Sequence, residues 1–374
     1  MISVTLFPGR YIQGRDALAR LGGECARLGR RAFLIASPHP RERLLPAHLP
    51  AIQEKCGLVV ETFGRQCSDQ EIQRLLQLCA QAGCDLVVGL GGGKTLDAAK
   101  AVAHLAQLPA VMVPTIASTD APCSSVCVVY TPEGVFQRAD ILPRNPDVVI
   151  VDTQVMAQAP ARFLAAGMGD ALATWFEAES CRVKQAPNIA GAVGSTTAYA
   201  LARLCYDILR EYGPTALASC AAGAVTPALE RVVEANTLLS GLGFESAGLA
   251  AAHSLHNGLT ALTPTHAFYH GEKVAFGVLV SLFLTDQRPA LMAEVYSFCE
   301  SVGLPTTLAD LGLSGVSDHD LGLVAEKTCA EGESIHHEPH EISPALVVGA
   351  IKAADAMGRG RKKTGGVARS GLAG

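Results

Sequence analysis

Four of the chain's eleven histidines fall between positions 253 and 270, in "SAGLAAAHSLHNGLTALTPTHAFYHGEK". His253 and His256 are three apart, which puts both on one helix face, among alanines that let other elements approach closely. His266 and His270 follow. Upstream, "GMGDALATWFEAE" sets Asp170 near the start of another helical segment, where a lone aspartate caps the helix or partners its dipole. One acid and two histidines from separate helices, with a coordination position left open, suit a divalent metal that polarises a substrate oxygen. Spacing alone does not say which histidines take part. A second histidine cluster, "HHEPH" from His336 to His340, is interrupted by Pro339 and reads as a polar turn between helices rather than another metal site.

A different chemistry is written in "GLGGGKTLDAAK", residues 89–100. An apolar run ends in a glycine turn (Gly91, Gly92 and Gly93), followed by Lys94 and a helix. A Walker A loop aligned on Gly93-Lys94-Thr95 needs glycine at 88, where the chain has Val88; the Rossmann fingerprint begun at Gly89 needs glycine or alanine at 94, where it has Lys94. What remains is a strand, a glycine turn and a helix N-terminus whose free N–H groups can cradle a pyrophosphate. Asp97 reads as a brace for this loop. A second loop, "VPTIASTDAPCSSVCVVYT" at 113–131, crowds Thr115, Ser118, Thr119 and Asp120 beyond the next strand. Ligands of open α/β sheets bind at that end of a parallel strand; the same hydroxyls also satisfy turn amides.

The elements that must position these residues change character along the chain. "RAFLIAS", "GLVVETF", "CDLVVGL", "AVMVP" and "DVVIVD" are short strand-like runs separated by helical patterns, among them "SDQEIQRLLQLCAQAG" with a Ser68/Glu71 capping box. That alternation predicts an α/β domain with a parallel sheet over residues 1–158. Beyond it, long Ala- and Leu-rich stretches at 161–181, 188–212, 215–241 and 246–262 predict an all-α domain over 159–374, with a mobile basic tail from about residue 358.

Composition narrows the class. With 374 residues, 49% of them hydrophobic, and a mean hydropathy of +0.26, the chain can fill large cores. A net charge of -5 gives no electrostatic reason for a nucleic-acid or anionic-membrane partner. No apolar run approaches the roughly eighteen residues of a membrane span, and "MISVTLFPGRYIQG" lacks the features of a signal peptide. The twelve cysteines form no C-x-x-C pair, which fits buried thiols in a reducing cytoplasm.

Taken together, "GLGGGKTLDAAKA", "PTIASTDAPCS", "GMGDALATWFEA", "TPALERVVEANTLLSG", "GFESAGLAAAHSLHNGLTAL" and "HGEKVAFG" resemble the glycerol dehydrogenases of the metal-dependent (iron-containing, group III) alcohol dehydrogenase superfamily. They do so in the expected order from "PGRYIQG" to about residue 357. The resemblance implies a dehydroquinate synthase-like fold, an α/β dinucleotide domain followed by a helical domain. By the same resemblance Gly93 and Lys94 meet the dinucleotide phosphates, Thr115 and Ser118 touch the cofactor, and Ser124, Val126 and Tyr130 line the nicotinamide side. Asp120 falls where the family hydrogen-bonds the polyol, and Asp170, His253 and His270 match three zinc ligands. Thr174 stands where four-ligand iron relatives carry another histidine, and His256 lines the substrate pocket. Ser37 replaces the usual aspartate that holds the adenosine ribose, so NAD is expected with NADP as the weaker alternative. The implied activity is hydride transfer from glycerol or a related vicinal diol to NAD, giving dihydroxyacetone, in a homo-oligomer, often an octamer.

Rival activities fit less well. A glycerol-1-phosphate dehydrogenase needs cations for the substrate phosphate, and only Lys273 lies near the metal motifs. A dehydroquinate synthase does not carry the "STDAP" and "HNGLTAL" pattern, a P-loop hydrolase is opposed by Val88, and a non-catalytic NAD-binding module leaves the metal set without purpose.

Overall fold

The structure, a computed structural model, describes residues 2–370 of the chain, with side-chain surroundings through residue 363. Its main sheet has six parallel strands in the order β1 (Tyr11–Gly14), β8 (Val148–Asp152), β5 (Ala110–Pro114), β4 (Leu86–Gly91), β2 (Arg31–Ala36) and β3 (Gly57–Thr62). β6 (Val126–Tyr130) and β7 (Phe136–Ile141) form a separate antiparallel hairpin. The five runs expected as strands are strands. Their apolar residues, Leu34, Val88, Val111 and Ile150 among them, make one continuous core.

Strand order explains where a ligand can enter. The chain runs from β2 outward to β3, returns past β2 to β4, and then builds the other half of the sheet. Direction therefore reverses between β2 and β4, and loops leaving the carboxyl ends of strands at such a reversal flank a crevice. Ser37 follows β2 and the glycine turn follows β4.

The helical stretches differ in detail from the sequence expectation. The first runs Ala161–Lys184. The second runs Thr196–Ala221, through Gly213 and Pro214 rather than stopping before them. A Cβ on Gly213 would lie 2.8 Å from the Phe298 ring, so this glycine serves close packing rather than chain reversal. The third stretch is broken into Pro227–Glu234, a π-helical turn at Ala235–Leu239, and Ser240–Ala247. Residues 358–370 are not a mobile tail, since helix Pro344–Ser370 continues through them; the last four residues of the expected tail, 371–374, lie outside the described residues. Gly358 is there for contact, since a Cβ on it would meet the Thr306 carbonyl at 1.9 Å. Arg361 pairs with Glu300 at 2.7 Å and Lys362 with Asp310 at 2.5 Å.

Contacts divide the chain into two compact units. One comprises Leu6–Leu164 with Thr215–Glu245; the other comprises Ala165–Pro214 and the described chain from Ser246 onward, with the residues up to Thr5. Thr215–Glu245, placed by its helical pattern with the C-terminal part, thus belongs with the sheet. Polar anchors account for this: Thr237 Oγ1 lies 2.7 Å from the Tyr11 hydroxyl, and Gln13 Nε2 donates to the Glu230 carbonyl at 2.9 Å. Helical periodicity carries no record of such partners. Among the described residues no helix is long and apolar enough to cross a membrane.

Candidate functional site

Three helices of one unit gather the metal candidates: Ala161–Lys184 carries Asp170, Ala251–Leu259 carries His253, and His270–Leu284 begins at His270. Glycine lets them approach. A Cβ on Gly169 would lie 2.3 Å from the Gly271 carbonyl oxygen, and one on Gly277 would lie 2.5 Å from that of Ala252. Asp170 Oδ1 consequently stands 3.0 Å from His270 Nε2 and 3.5 Å from His253 Nε2. Among the described residues these three are the only set of acidic, histidine or cysteine side chains whose ligand atoms all lie within 4.8 Å of one another. A tetrahedral ion with ligands at about 2.1 Å spaces them about 3.4 Å apart, so this donor set fits a divalent cation. Burial disfavours charge on Asp170, but His270 and His253 outweigh it and hold the carboxyl well below the usual range. Burial likewise opposes a charged His253, while Glu177 and Asp170 push its pKa well up. A cation binding here takes the place of that proton.

Glu177 escaped the sequence reading. Its Oε2 lies 2.6 Å from His253 Nδ1 and its Oε1 accepts from the His253 and Ala250 amides, both at 3.0 Å. It thus orients one ligand and caps the helix that bears it. Its position seven residues after Asp170, two turns along the same face, was the available signal. His256 Nε2 is 3.1 Å from His270 Nδ1, so this histidine is engaged with a metal candidate. His266 instead meets the Thr260 carbonyl at 2.9 Å. Thr174 is buried one turn after Asp170.

The "HHEPH" turn has a use of its own. Glu338 Oε1 accepts from the Ala251 amide at 3.0 Å and Oε2 from the Ser180 hydroxyl at 2.6 Å. His337 Nδ1 faces the Leu249 carbonyl at 2.8 Å, while His336 reaches the Ala330 carbonyl at 3.2 Å. The segment therefore clamps the start of the His253 helix.

The other unit holds the glycine turn. A Cβ on Gly91 would lie 2.2 Å from Ser37 Oγ, and that hydroxyl is 2.6 Å from Thr95 Oγ1, so Ser37 and the turn are in direct contact. Gly92 faces Ile116 and Gly93 faces Thr119, which brings the second loop alongside. The Thr115 amide donates to the Gly91 carbonyl at 3.0 Å, and Ser118 lies in the same loop. Helix Gly93–Ala106 starts here with its first amides at the turn. Lys94 is half-buried, which lowers its pKa; its amine donates to Gln66 Oε1 at 2.6 Å and lies 4.6 Å from the centre of the Tyr130 ring. Asp97 braces the hairpin, accepting from the Val128 amide at 3.2 Å and pairing with Lys100 at 2.9 Å. Lys100 donates in turn to the Ser124 and Val126 carbonyls. Ser124 is buried, its hydroxyl donating to the Ala121 carbonyl at 3.3 Å.

Asp120 is buried in this unit, and its Oδ2 accepts from the Ser240 hydroxyl at 2.8 Å. Two further residues absent from the sequence reading shape its loop. Asn236, in the π-turn, donates to the Ala117 carbonyl at 3.1 Å. Glu245 Oε1 accepts from both the amide and the hydroxyl of Ser125, at 2.6 and 2.5 Å. π-Turns of this kind gather at functional sites.

Comparison with known proteins identifies the family. Residues 8–153 match the model of the iron-containing alcohol dehydrogenase family. The chain is 60% identical to a glycerol dehydrogenase of Thermotoga maritima, covering 97% of this chain and 99% of that one. It is 51% identical to a glycerol dehydrogenase of Pseudomonas putida, over 94% and 97% of the two chains. A crystal structure of glycerol dehydrogenase from Schizosaccharomyces pombe shares the fold at a TM-score of 0.92 and 39% identity, over 98% of this chain and 93% of that one. The chain belongs to the glycerol dehydrogenases of the iron-containing alcohol dehydrogenase family, oxidoreductases that act on CH–OH groups.

Proposed function

We propose that the protein oxidises glycerol, or a closely related vicinal diol, to the hydroxyketone with NAD as hydride acceptor, and that its metal is zinc. The observation that carries this is the convergence of Asp170 Oδ1 on His270 Nε2 at 3.0 Å and on His253 Nε2 at 3.5 Å. Three protein ligands with an open position, and Thr174 where a fourth ligand would come, favour zinc over octahedral iron.

When bound, the metal supplies a Lewis acid that lowers the pKa of a diol hydroxyl. Asp170, His253 and His270 hold it, and Glu177 keeps His253 in the tautomer whose Nε2 lone pair is free. Asp120 accepts a hydrogen bond from the diol and orients it. The amides after the glycine turn, with Lys94, hold the dinucleotide phosphates; Thr115 and Ser118 touch the cofactor; Ser124, Val126 and Tyr130 flank the nicotinamide. The bound dinucleotide would supply the acceptor for the carbon-bound hydrogen as hydride, and the hydroxyl proton would go to solvent. NAD is preferred over NADP, because Arg41, the nearest arginine to Ser37 in sequence, is already engaged with the Thr62 hydroxyl. A cytoplasmic homo-oligomer completes the proposal, and twelve free thiols suit that compartment.

The test is the appearance of reduced-nicotinamide absorbance when zinc-loaded protein, NAD and glycerol are mixed, with propane-1,2-diol, glycerol phosphate and NADP in parallel. Turnover of glycerol phosphate but not glycerol would sink the proposal. So would activity with iron that zinc does not restore. Lys273, the cation nearest the metal motifs in sequence, donates to the Thr265 carbonyl at 3.5 Å, which argues against a phosphorylated substrate.

A further inference from the structure

His253 is oriented directly by a carboxylate. His270 turns its Nδ1 to His256 instead, at the head of a hydrogen-bonded chain that ends in a carboxylate. Asn257 Nδ2 lies 3.2 and 3.0 Å from the two carboxylate oxygens of Glu333. A carboxylate only accepts, so the amide must turn its NH2 toward Glu333 and its Oδ1 toward His256 Nδ1, 3.1 Å away. Oδ1 only accepts as well, and the proton of His256 is therefore on Nδ1. The remaining nitrogen, His256 Nε2, then offers a lone pair at 3.1 Å from His270 Nδ1. His270 must in turn carry its proton on Nδ1, which leaves the Nε2 lone pair directed at Asp170 Oδ1 and the metal position.

We propose that Glu333, acting through Asn257 and His256, sets the tautomer of the metal ligand His270. It is a positioning residue for a site it never touches. Each step has one allowed direction, so the anion at Glu333 decides the amide orientation and with it both ring tautomers. All four residues belong to one compact unit, and Glu333 and Asn257 are only partly buried. The chain gives His270 what Glu177 gives His253: a fixed ring, a free Nε2 and a more basic donor. On this account His256 holds the ligand rather than lining the substrate pocket. The inference rests on Asp170, His253 and His270 binding a divalent metal.

Zinc affinity of the full-length apo-protein, measured by competition with a chromophoric chelator, is the test. His256→Phe keeps a ring of similar size but removes the acceptor, and should weaken zinc binding about 10–100-fold. Glu333→Ala, at a partly exposed position, should weaken it several-fold. The double variant should bind no more weakly than His256→Phe alone, because one chain is broken in both. Nitrogen-15 shifts of the His270 ring should move in both single variants. Additive losses in the double variant overturn the proposal. Unchanged zinc affinity in His256→Phe with a raised KM for glycerol also overturns it and returns His256 to the substrate pocket. Wild-type protein that takes up no zinc removes the metal assignment itself, and this proposal with it.

Discussion

A Cβ on Gly271 would lie 1.8 Å from the carbonyl oxygen of Ala166, closer than any carbon can approach. The two residues mark the crossing of the helices that bring Asp170 and His270 together. Gly271→Ala should therefore force the helices apart, destabilise the fold by about 1–3 kcal/mol and weaken zinc binding at least tenfold. Gly322→Ala is the control: that helical glycine has open space around it, and the change should stabilise by about 0.5–1 kcal/mol. Thermal denaturation and chelator competition on both variants decide the matter. Full zinc affinity in Gly271→Ala would mean that the close crossing does not shape the site.

Glu177→Gln should weaken zinc binding about 10–100-fold while leaving the helix cap largely in place. A glutamine oxygen can still accept from the amides of Ala250 and His253, but its NH2 would then face His253 Nδ1 and demand the wrong tautomer. Unaltered zinc affinity with an intact fold would show that Glu177 serves only as a cap.

Glu338 links stability to pH. Burial raises its pKa from 4.5 to about 7, against the opposing bonds from Ser180 and the Ala251 amide. The folded state thus favours the protonated form. The stabilisation is fully present below pH 4.5 and is lost as pH rises through about 7, a change on the order of 3 kcal/mol. Glu338→Gln mimics the protonated acid and should be more stable than wild type at pH 8, with the gap closing near pH 5. Denaturant melts at the two values provide the check, and a pH-independent gap would contradict it.

Residues that act through local pattern were legible in the sequence, and residues that act through distant packing were not. The parallel strands and the glycine turn could be named because apolar runs and glycine spacing record them directly; the set Asp170, His253 and His270 was named through the family resemblance, since spacing alone left the histidines undecided. β1 was missed because four residues at a sheet edge leave no apolar run. β6 was hidden in a stretch whose hydroxyls suggested only a loop. Glu71 illustrates a half-right reading: Ser68 caps the helix at the Glu71 amide, but the Glu71 carboxylate turns to the Gly64 amide at 2.8 Å. Asn236, Ser240 and Glu245 carry no local signal, since each bonds to a loop more than a hundred positions away. Gly358 read as a tail residue because close approach and chain freedom use the same amino acid.

At Ser37 the expected outcome concerns cofactor choice. A carboxylate at this position would repel a 2′-phosphate, and its absence removes that charge effect. Ser37→Asp should raise the ratio of kcat/KM for NAD over NADP about tenfold or more. The Ser37 hydroxyl is 2.6 Å from Thr95 Oγ1, so Ser37→Ala, which removes that contact without adding charge, separates packing from electrostatics. A ratio unchanged by the aspartate would show that the ribose does not reach this strand end.

Asp120 offers the sharpest division between substrate and metal. Its Oδ2 accepts from the Ser240 hydroxyl, and Asn can preserve that bond through its own oxygen, so Asp120→Asn should fold normally. What the change removes is the anion and one acceptor that a diol hydroxyl would use. The loss should appear as a drop in kcat/KM for glycerol worth about 1–3 kcal/mol, roughly tenfold to a hundredfold. Zinc content and NAD affinity should stay near wild type, because Asp120 is not in the metal set of Asp170, His253 and His270. Ser240→Ala removes this one donor to Oδ2 without changing the carboxylate's charge and should alter kcat/KM less than Asp120→Asn does. Loss of zinc in Asp120→Asn would place this carboxylate at the metal instead, and equal losses in both variants would make it a structural partner of Ser240 alone.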